Sequence, residues 1–296
     1  MNHPEMLDSL RDRGLEALET GRMEEALAIL QEAYELACKA DDETRMDRSF
    51  CNLAAVQIEL RRFAEVQRLR EILVRNGDPE NCRLAAYNIA RFYQIAKDYK
   101  KALFYARLAL DRSQLLERKD WIASARNRIG NILLGESYFQ EARSEYEQAL
   151  KLMPTERNVV RAVILENLGY CRVIQGDFIA GLRDLITSLR MLRALGARLY
   201  ERGPRLSLCF AFLEVGRYRS AARQGVRALE IAEDVGDQDS IKNALYLLGE
   251  AANLEGDSES ARARFARLQE RFYPSDRHLP DFLLAIDVRK LVNLKA

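Results

Sequence analysis

Apolar residues along this chain recur every three or four positions, and the pattern restarts after short polar interruptions. That is the period of amphipathic helices packed through one face. Residues 118–154, RKDWIASARNRIGNILLGESYFQEARSEYEQALKLMP, show it most clearly. The stretch reads as two helices joined by a tight turn. The first carries Ile129, Gly130 and Leu133, the second Ala142, Tyr146 and Ala149. The unit stops at Pro154, which has no N–H to donate and restricts the residue before it. Gly130, Ala142 and Ala149 let two helix backbones approach closely, with Tyr146 and the leucines filling the remaining volume. No run of alternating Val, Ile and Thr bounded by Asn-Gly appears, so the predicted class is all-α.

The small-residue slot of Gly130 returns at Gly14, Ala54, Ala90, Gly169, Cys209 and Gly249, with spacings of 36 to 40 residues. Twelve positions after each of the seven slots, that of Gly130 included, come Ala26, Val66, Ala102, Ala142, Gly181, Ala221 and Ala261. Nineteen after come Ala33, Leu73, Ala109, Ala149, Ser188, Ala228 and Leu268. Columns that agree in this way predict about seven copies of one helix–turn–helix unit in a single domain spanning 1–296. The copies cover about 5–40, 44–77, 79–117, 118–154, 157–196, 198–236 and 238–274. The second is the poorest match, with Val66 and Leu73 in the small-residue columns. Gly21, Gly176, Gly216 and Gly256 fall where a helix C-terminus is expected. Asp78 followed by Pro79 suits an N-cap and first helical residue.

A helix pair with small residues at these positions resembles the tetratricopeptide repeat. The family's common repeat has 34 residues. A period near 40 resembles its longer-helix branch, which includes bacterial signal-sensing regulators and eukaryotic polarity and motor adaptors. The resemblance implies a right-handed α-solenoid whose first helices line a concave groove. Solenoids need a terminal element over the last apolar face. After Pro274 a single capping helix is expected over 279–294, with Leu284, Val288, Leu291 and Val292 as its docking stripe. Phe282, Leu283, Ile286 and Leu294 fall outside that stripe. Packing on the last repeat or its loop is one reading of them. A homodimer seam, or entry into the chain's own groove, is the other.

The 296 residues include 46 basic and 45 acidic side chains and are 48% hydrophobic, which suits a chain folding on a continuous core. No apolar run approaches the ~18 residues of a membrane helix. The polar N-terminus lacks the pattern of a secretory signal. Five cysteines without CxxC pairing read as free thiols in a reducing compartment, so a cytoplasmic location is expected. His3 and His278 have no ligand at metal spacing. No phosphate-binding, dinucleotide or nucleophile-elbow motif occurs, and carboxylate pairs such as Glu24-Glu25 sit at helix starts. The chain therefore reads as non-enzymatic, with no cofactor and no metal.

By the resemblance, the residue two before each slot points into the groove. Here these are Asp12, Asn52, Asn88, Arg128, Asn167, Ser207 and Leu247. Asparagine offers both a donor pair and an acceptor, as an extended main chain does. An Asn ladder can thus hold a peptide backbone without demanding particular side chains. Arg128, flanked by Asn127 and Asn131, suits a carboxylate or phosphate. Arg91 follows Asn88, and Tyr87, Tyr170 and Tyr246 stand on or beside the same face. The bland alternative is that these groups are solvated or bond between adjacent helices. The favoured function is a protein-interaction scaffold or adaptor holding an extended segment of a partner protein. A peptide-sensing regulatory module is the alternative, although residues 1–13 are short for an added effector region. A weaker alternative is nucleic-acid binding by the belt of ten arginines and three acidic residues over 183–227.

Overall fold

The computed structural model describes residues 3–63, 66–153, 156 and 158–295. Pro154, expected to end the fourth copy, lies outside the described residues. Among those residues the regular structure is helical, with one 3-10 turn and no strand. The chain divides into two compact units, Met1–Glu136 with Lys151–Met153, and Ser137–Leu150 with Pro154–Ala296.

The first unit contains α1 (His3–Glu19), α2 (Met23–Lys39), α3 (Glu43–Glu59), α4 (Val66–Arg75), α5 (Pro79–Ile95), α6 (Tyr99–Leu115) and α7 (Lys119–Gly135). Adjacent helices pack as hairpins, and the odd-numbered helices also touch in series, α1 on α3, α3 on α5 and α5 on α7. The interior is a run of side chains including Phe50, Ile58, Leu69, Ile89, Ala102 and Ile132. The helix α4 has 10 residues where its counterparts α2 and α6 have 17. Val66 and Leu73, the large residues in small-residue columns, belong to it. Trp121, the chain's single tryptophan, lies between two guanidinium groups. Arg83 and Arg118 each stand 4.2 Å from its ring centre. Burial lowers the pKa of Arg83 to about 10.

The second unit contains α8 (Phe139–Leu152) as far as Leu150, α9 (Val159–Ile174), α10 (Phe178–Ala194), a 3-10 turn (Arg198–Glu201), α11 (Arg202–Glu214), α12 (Tyr218–Asp234), α13 (Gln238–Glu255), α14 (Ser258–Phe272) and α15 (Leu279–Ala285). Here α9, α11 and α13 pack in series, with α10, α12 and α14 behind them. Close approach is enforced where α9 meets α10. A Cβ on Gly169 would stand 3.0 Å from the Gly181 carbonyl oxygen, and one on Gly181 would stand 2.9 Å from that of Gly169.

One turn design joins many helices. The residue after the helix C-cap takes positive φ, and the next residue caps the following helix. Lys97 (φ 59°) precedes Asp98, whose N–H reaches back to the Tyr93 carbonyl and whose side chain accepts from Lys101 N–H. Gly176 (φ 85°) and Asp177 repeat this, from Asp177 N–H to Arg172 O and from Ala180 N–H to the Asp177 carboxylate. The closing bond is that of a Schellman motif, and the aspartate satisfies an otherwise unpaired amide. One residue thus ends a helix while its neighbour starts the next.

The C-terminus departs from the expected capping helix. The helix α15 ends at Ala285, and Ile286 is extended at φ −128°, ψ 123°. Leu291, assigned to the docking stripe, is 84% exposed, whereas Leu283 and Leu294 from outside it are buried. The helix end accounts for Leu291 and Leu294, since a 100° wheel places no residue correctly beyond Ala285; Leu283 lies within α15, whose buried side is not the expected stripe.

Candidate functional site: the first-helix faces of the two units

In the first unit, the face carrying the sequence-nominated residues is linked by its own side chains. Asn88 is 2% exposed, and its Nδ2 donates to the Cys51 carbonyl at 2.7 Å. Seven residues earlier, Asn81 does the same to the Thr44 carbonyl at 2.7 Å, and its Oδ1 accepts from Arg48. The two amides stitch α5 to α3 at matching intervals of two helical turns. Arg128 donates to Gln94 Oε1 and to the Tyr87 hydroxyl, each at 3.0 Å, with its guanidinium over the Tyr87 ring. Burial pushes the Tyr87 hydroxyl pKa up, but the Arg128 charge and hydrogen bonds from Ser124 and Arg128 outweigh it, and the net shift is downward. Arg91 pairs with Glu59. Asn131 also has a polar interaction. Asn127 is buried with its Oδ1 unpaired, and Asn52 is buried beside a cavity of about 190 Å³ lined in part by Asp8, Arg11 and Arg48.

In the second unit, Asn167 and Ser207 are buried, as is Leu247 in the same column. Tyr170 and Tyr246 meet something the sequence offered only as a minority reading. Residues 286–295 lie across α9, α11 and α13 of their own unit. The Tyr170 hydroxyl accepts from the Leu294 N–H at 3.1 Å, and the Leu294 carbonyl accepts from Asn243 Nδ2 at 2.9 Å. Asn253 Nδ2 donates to the Leu284 carbonyl at 3.3 Å, and Asn293 Nδ2 donates to Ser137 Oγ at 3.1 Å. Arg289 stands 3.1 Å from Glu214 and 3.6 Å from Glu250, while Lys295 Nζ is 2.6 Å from Glu166. The Glu166 carboxylate also accepts from the buried Ser207 hydroxyl.

The electrostatics follow from burial. Glu250, 2% exposed, has its pKa pushed up to about 7 by burial, with Asp287 adding to the shift and Arg289 opposing it. Its Oε1 and the Tyr246 hydroxyl are buried without partners among the described groups. Burial also drives the Tyr246 and Tyr170 hydroxyls well above the ordinary tyrosine value.

Counted from each slot, the contact face runs through the third residue before it (Glu166, Tyr246) and the first after it (Tyr170, Glu250). The column nominated by resemblance lies about 60° round the helix from the latter, at 100° per residue. Tyr87, Arg91, Asn127, Asn131, Tyr170 and Tyr246 share the registers of the contact face. Glu166, Glu214, Asn243, Glu250 and Asn253 escaped notice. Their one sequence signal is a carboxylate or amide in a register where apolar residues dominate nearby.

Elsewhere, the arginine belt is largely paired. Arg198 meets Asp234, Arg202 meets Asp237, and Arg219 meets Glu255, each at 2.7 Å. Burial raises the Cys171 and Cys209 thiols to about 12 and pushes up Cys51 as well, so these sulfurs stay protonated. Among the described residues no cluster of three or more metal-ligating side chains occurs, and no helix is long and apolar enough to cross a membrane.

A tetratricopeptide-repeat family model matches residues 123–156. No curated protein matches the chain by sequence. Among solved structures, a Rap protein complexed with Competence and Sporulation Factor aligns with a TM-score of 0.71 at 14% identity, covering 97% of this chain and 79% of that one. The apo form of RapI aligns with a TM-score of 0.62 at 12% identity, over 97% and 85% respectively. BtubC from P. vanneervenii gives 0.56 at 19% identity, over 73% and 90%. At these identities the likeness is one of fold.

Proposed function

We propose that this chain, whose residues 123–156 match a tetratricopeptide-repeat model and whose helices pair as hairpins, is an interaction scaffold that holds an extended segment of a partner protein on the first-helix face of its second unit. One observation carries the reading: that face already holds a non-helical segment, extended at Ile286 and turned where the Leu291 N–H meets the Val288 carbonyl. Tyr170 and Asn243 take the main-chain N–H and C=O of Leu294, which are groups every peptide possesses. Such contacts supply affinity while leaving specificity to side chains. The fold likeness to the Rap protein solved with Competence and Sporulation Factor extends over 97% of this chain. The first unit bears Asn52, Asn88, Arg91, Asn127, Arg128 and Asn131 as a second candidate surface, on which any ligand must replace existing side-chain contacts.

The test is selection of a random dodecapeptide library on the full chain, followed by titration of the enriched peptides. Peptides bound in the second unit lose about tenfold in affinity for Tyr170→Phe/Asn243→Ala, the order of two lost hydrogen bonds. Enrichment of no peptide, or of peptides indifferent to this variant, refutes the reading.

A further inference from the structure

The face that holds the terminal segment is acidic where it matters. Glu166, Glu214 and Glu250 stand on or at the end of α9, α11 and α13, and the segment presents two cations to them. Arg289 reaches the Glu214–Glu250 pair. Six residues on, Lys295 reaches Glu166 with its ammonium 5.7 Å from the Tyr170 ring centre. Leu294, just before the second cation, is buried at 8% exposure.

The rest of the segment is loosely held. Leu291 projects into solvent, and Phe282 and Ile286 are each about half exposed. A cavity of about 340 Å³ remains beside it, lined in part by Tyr246, Leu268, Leu283, Val288 and Val292. An element serving only to cover the end of the helix stack would bury its leucines and leave no such void. This one is fixed by Arg289, which also pairs with Asp287 of the segment itself at 2.6 Å, by Lys295, by buried Leu294, by Asn293 on Ser137 and by main-chain hydrogen bonds, all groups that another chain can supply.

We propose that the acidic face of the second unit is a docking site for a basic, non-helical segment of a partner protein, with cations at two points six residues apart and a leucine before the second, and that residues 286–295 are an internal competitor which the partner displaces. The inference rests on the extended-segment reading above and adds the partner's chemistry. An acidic face repels a phosphate backbone, so a nucleic acid does not fit this site.

The experiment is fluorescence anisotropy with a labelled peptide of residues 285–296, and with the same peptide bearing glutamine for Arg289, Lys290 and Lys295. Each is titrated into the full chain and into full-length Arg289→Ala/Lys295→Ala, whose own segment is weakened. The resident segment reduces the competent fraction of the wild-type chain, so the basic peptide binds the loosened variant about tenfold more tightly. The neutral peptide binds about tenfold more weakly than the basic one, and Glu166→Gln/Glu214→Gln in the loosened chain abolishes that preference. Circular dichroism establishes that each variant is helical. If the double variant does not fold, Lys295→Gln alone serves in its place. Equal binding of both peptides to the loosened chain overturns the basic chemistry while leaving the extended-segment reading intact. Binding of neither overturns both. A wild-type dimer that Lys295→Gln converts to monomer assigns the face to a second copy's segment and overturns the partner assignment.

Discussion

The two units use the same helix hairpins and treat their first-helix faces in opposite ways. In the first, residues from α3, α5 and α7 bond to one another: Asn88 to the Cys51 carbonyl, and Arg128 to Tyr87 and Gln94. In the second, the corresponding face bonds to a segment from outside the hairpins, through Tyr170, Asn243, Glu214, Glu250 and Glu166. A polar group on a helix face can thus serve the stack or serve an occupant. Only its partners reveal which. The turns differ as well. The left-handed residues at helix ends are mostly non-glycine in the first unit (Asp41, Arg61, Asn76, Lys97 and Glu117). In the second, Ser137 apart, glycines take that conformation: Gly176, Gly196, Gly216, Gly236 and Gly256.

The sharpest way to break the comparison is to remove one arginine from each face. Arg128→Ala strips hydrogen bonds from a stacked, part-buried guanidinium and lowers unfolding free energy by about 2 kcal/mol, measured by urea denaturation. Arg289→Ala costs less than about 1 kcal/mol, because Glu214 remains accessible to water and Glu250 responds by holding its proton. Equal losses would mean that the terminal segment is as integral to its unit as Arg128 is to the first.

The turns give a smaller effect of opposite sign in the two units. At Gly216 (φ 72°) an added Cβ meets nothing within 4 Å, so Gly216→Ala isolates the conformational cost, about 1 kcal/mol. Lys97 already bears that cost, and Lys97→Gly stabilises by about 0.5 kcal/mol after the glycine's own entropy is counted. Both are read from denaturation midpoints. A loss at Lys97→Gly would show that its side chain contributes more than its backbone costs.

A further effect turns on one proton. Folded Glu250 keeps its proton up to about pH 7, whereas an unperturbed carboxyl loses it near 4.5. Between those values the folded state binds more protons than the unfolded one. This group's contribution to stability is therefore full below the lower value, falls as pH rises through the window, and levels off above the higher one. Glu250→Gln removes that contribution, so a plot of melting temperature from pH 5 to 8 becomes less steeply downward. An unchanged slope would show that Glu250 ionises normally in the folded chain.

Much of the architecture was legible because it rests on periodic, local chemistry. The slot residues recur at fixed offsets because each leaves room for the facing helix: at Gly169 and Gly181 the two backbones meet, and at Gly249 the ring of Phe265 fills the space. Asp78, Asp177 and Asp257 announce helix starts by capping. What the periodicity could not show was the terminal segment. Its helix ends at Ala285 with no proline or glycine to mark the place, and its contacts span more than a hundred residues, as between Leu294 and Tyr170. The Asn column was visible, yet the residues meeting the segment lie one helical step away. A column of polar residues fixes a face to within about 60°, which is also the difference between facing a neighbouring helix and facing a ligand.

The position of Trp121 between Arg83 and Arg118 has an optical consequence. As the chain's single indole, it makes tryptophan emission a report on the first unit alone, while far-ultraviolet dichroism averages over every helix. Coincident denaturation curves from the two signals mean that the chain melts as one cooperative body. Dichroism lost ahead of emission means that the half bearing the acidic face opens while the indole still senses its two cations, and the reverse order means that the first unit opens first.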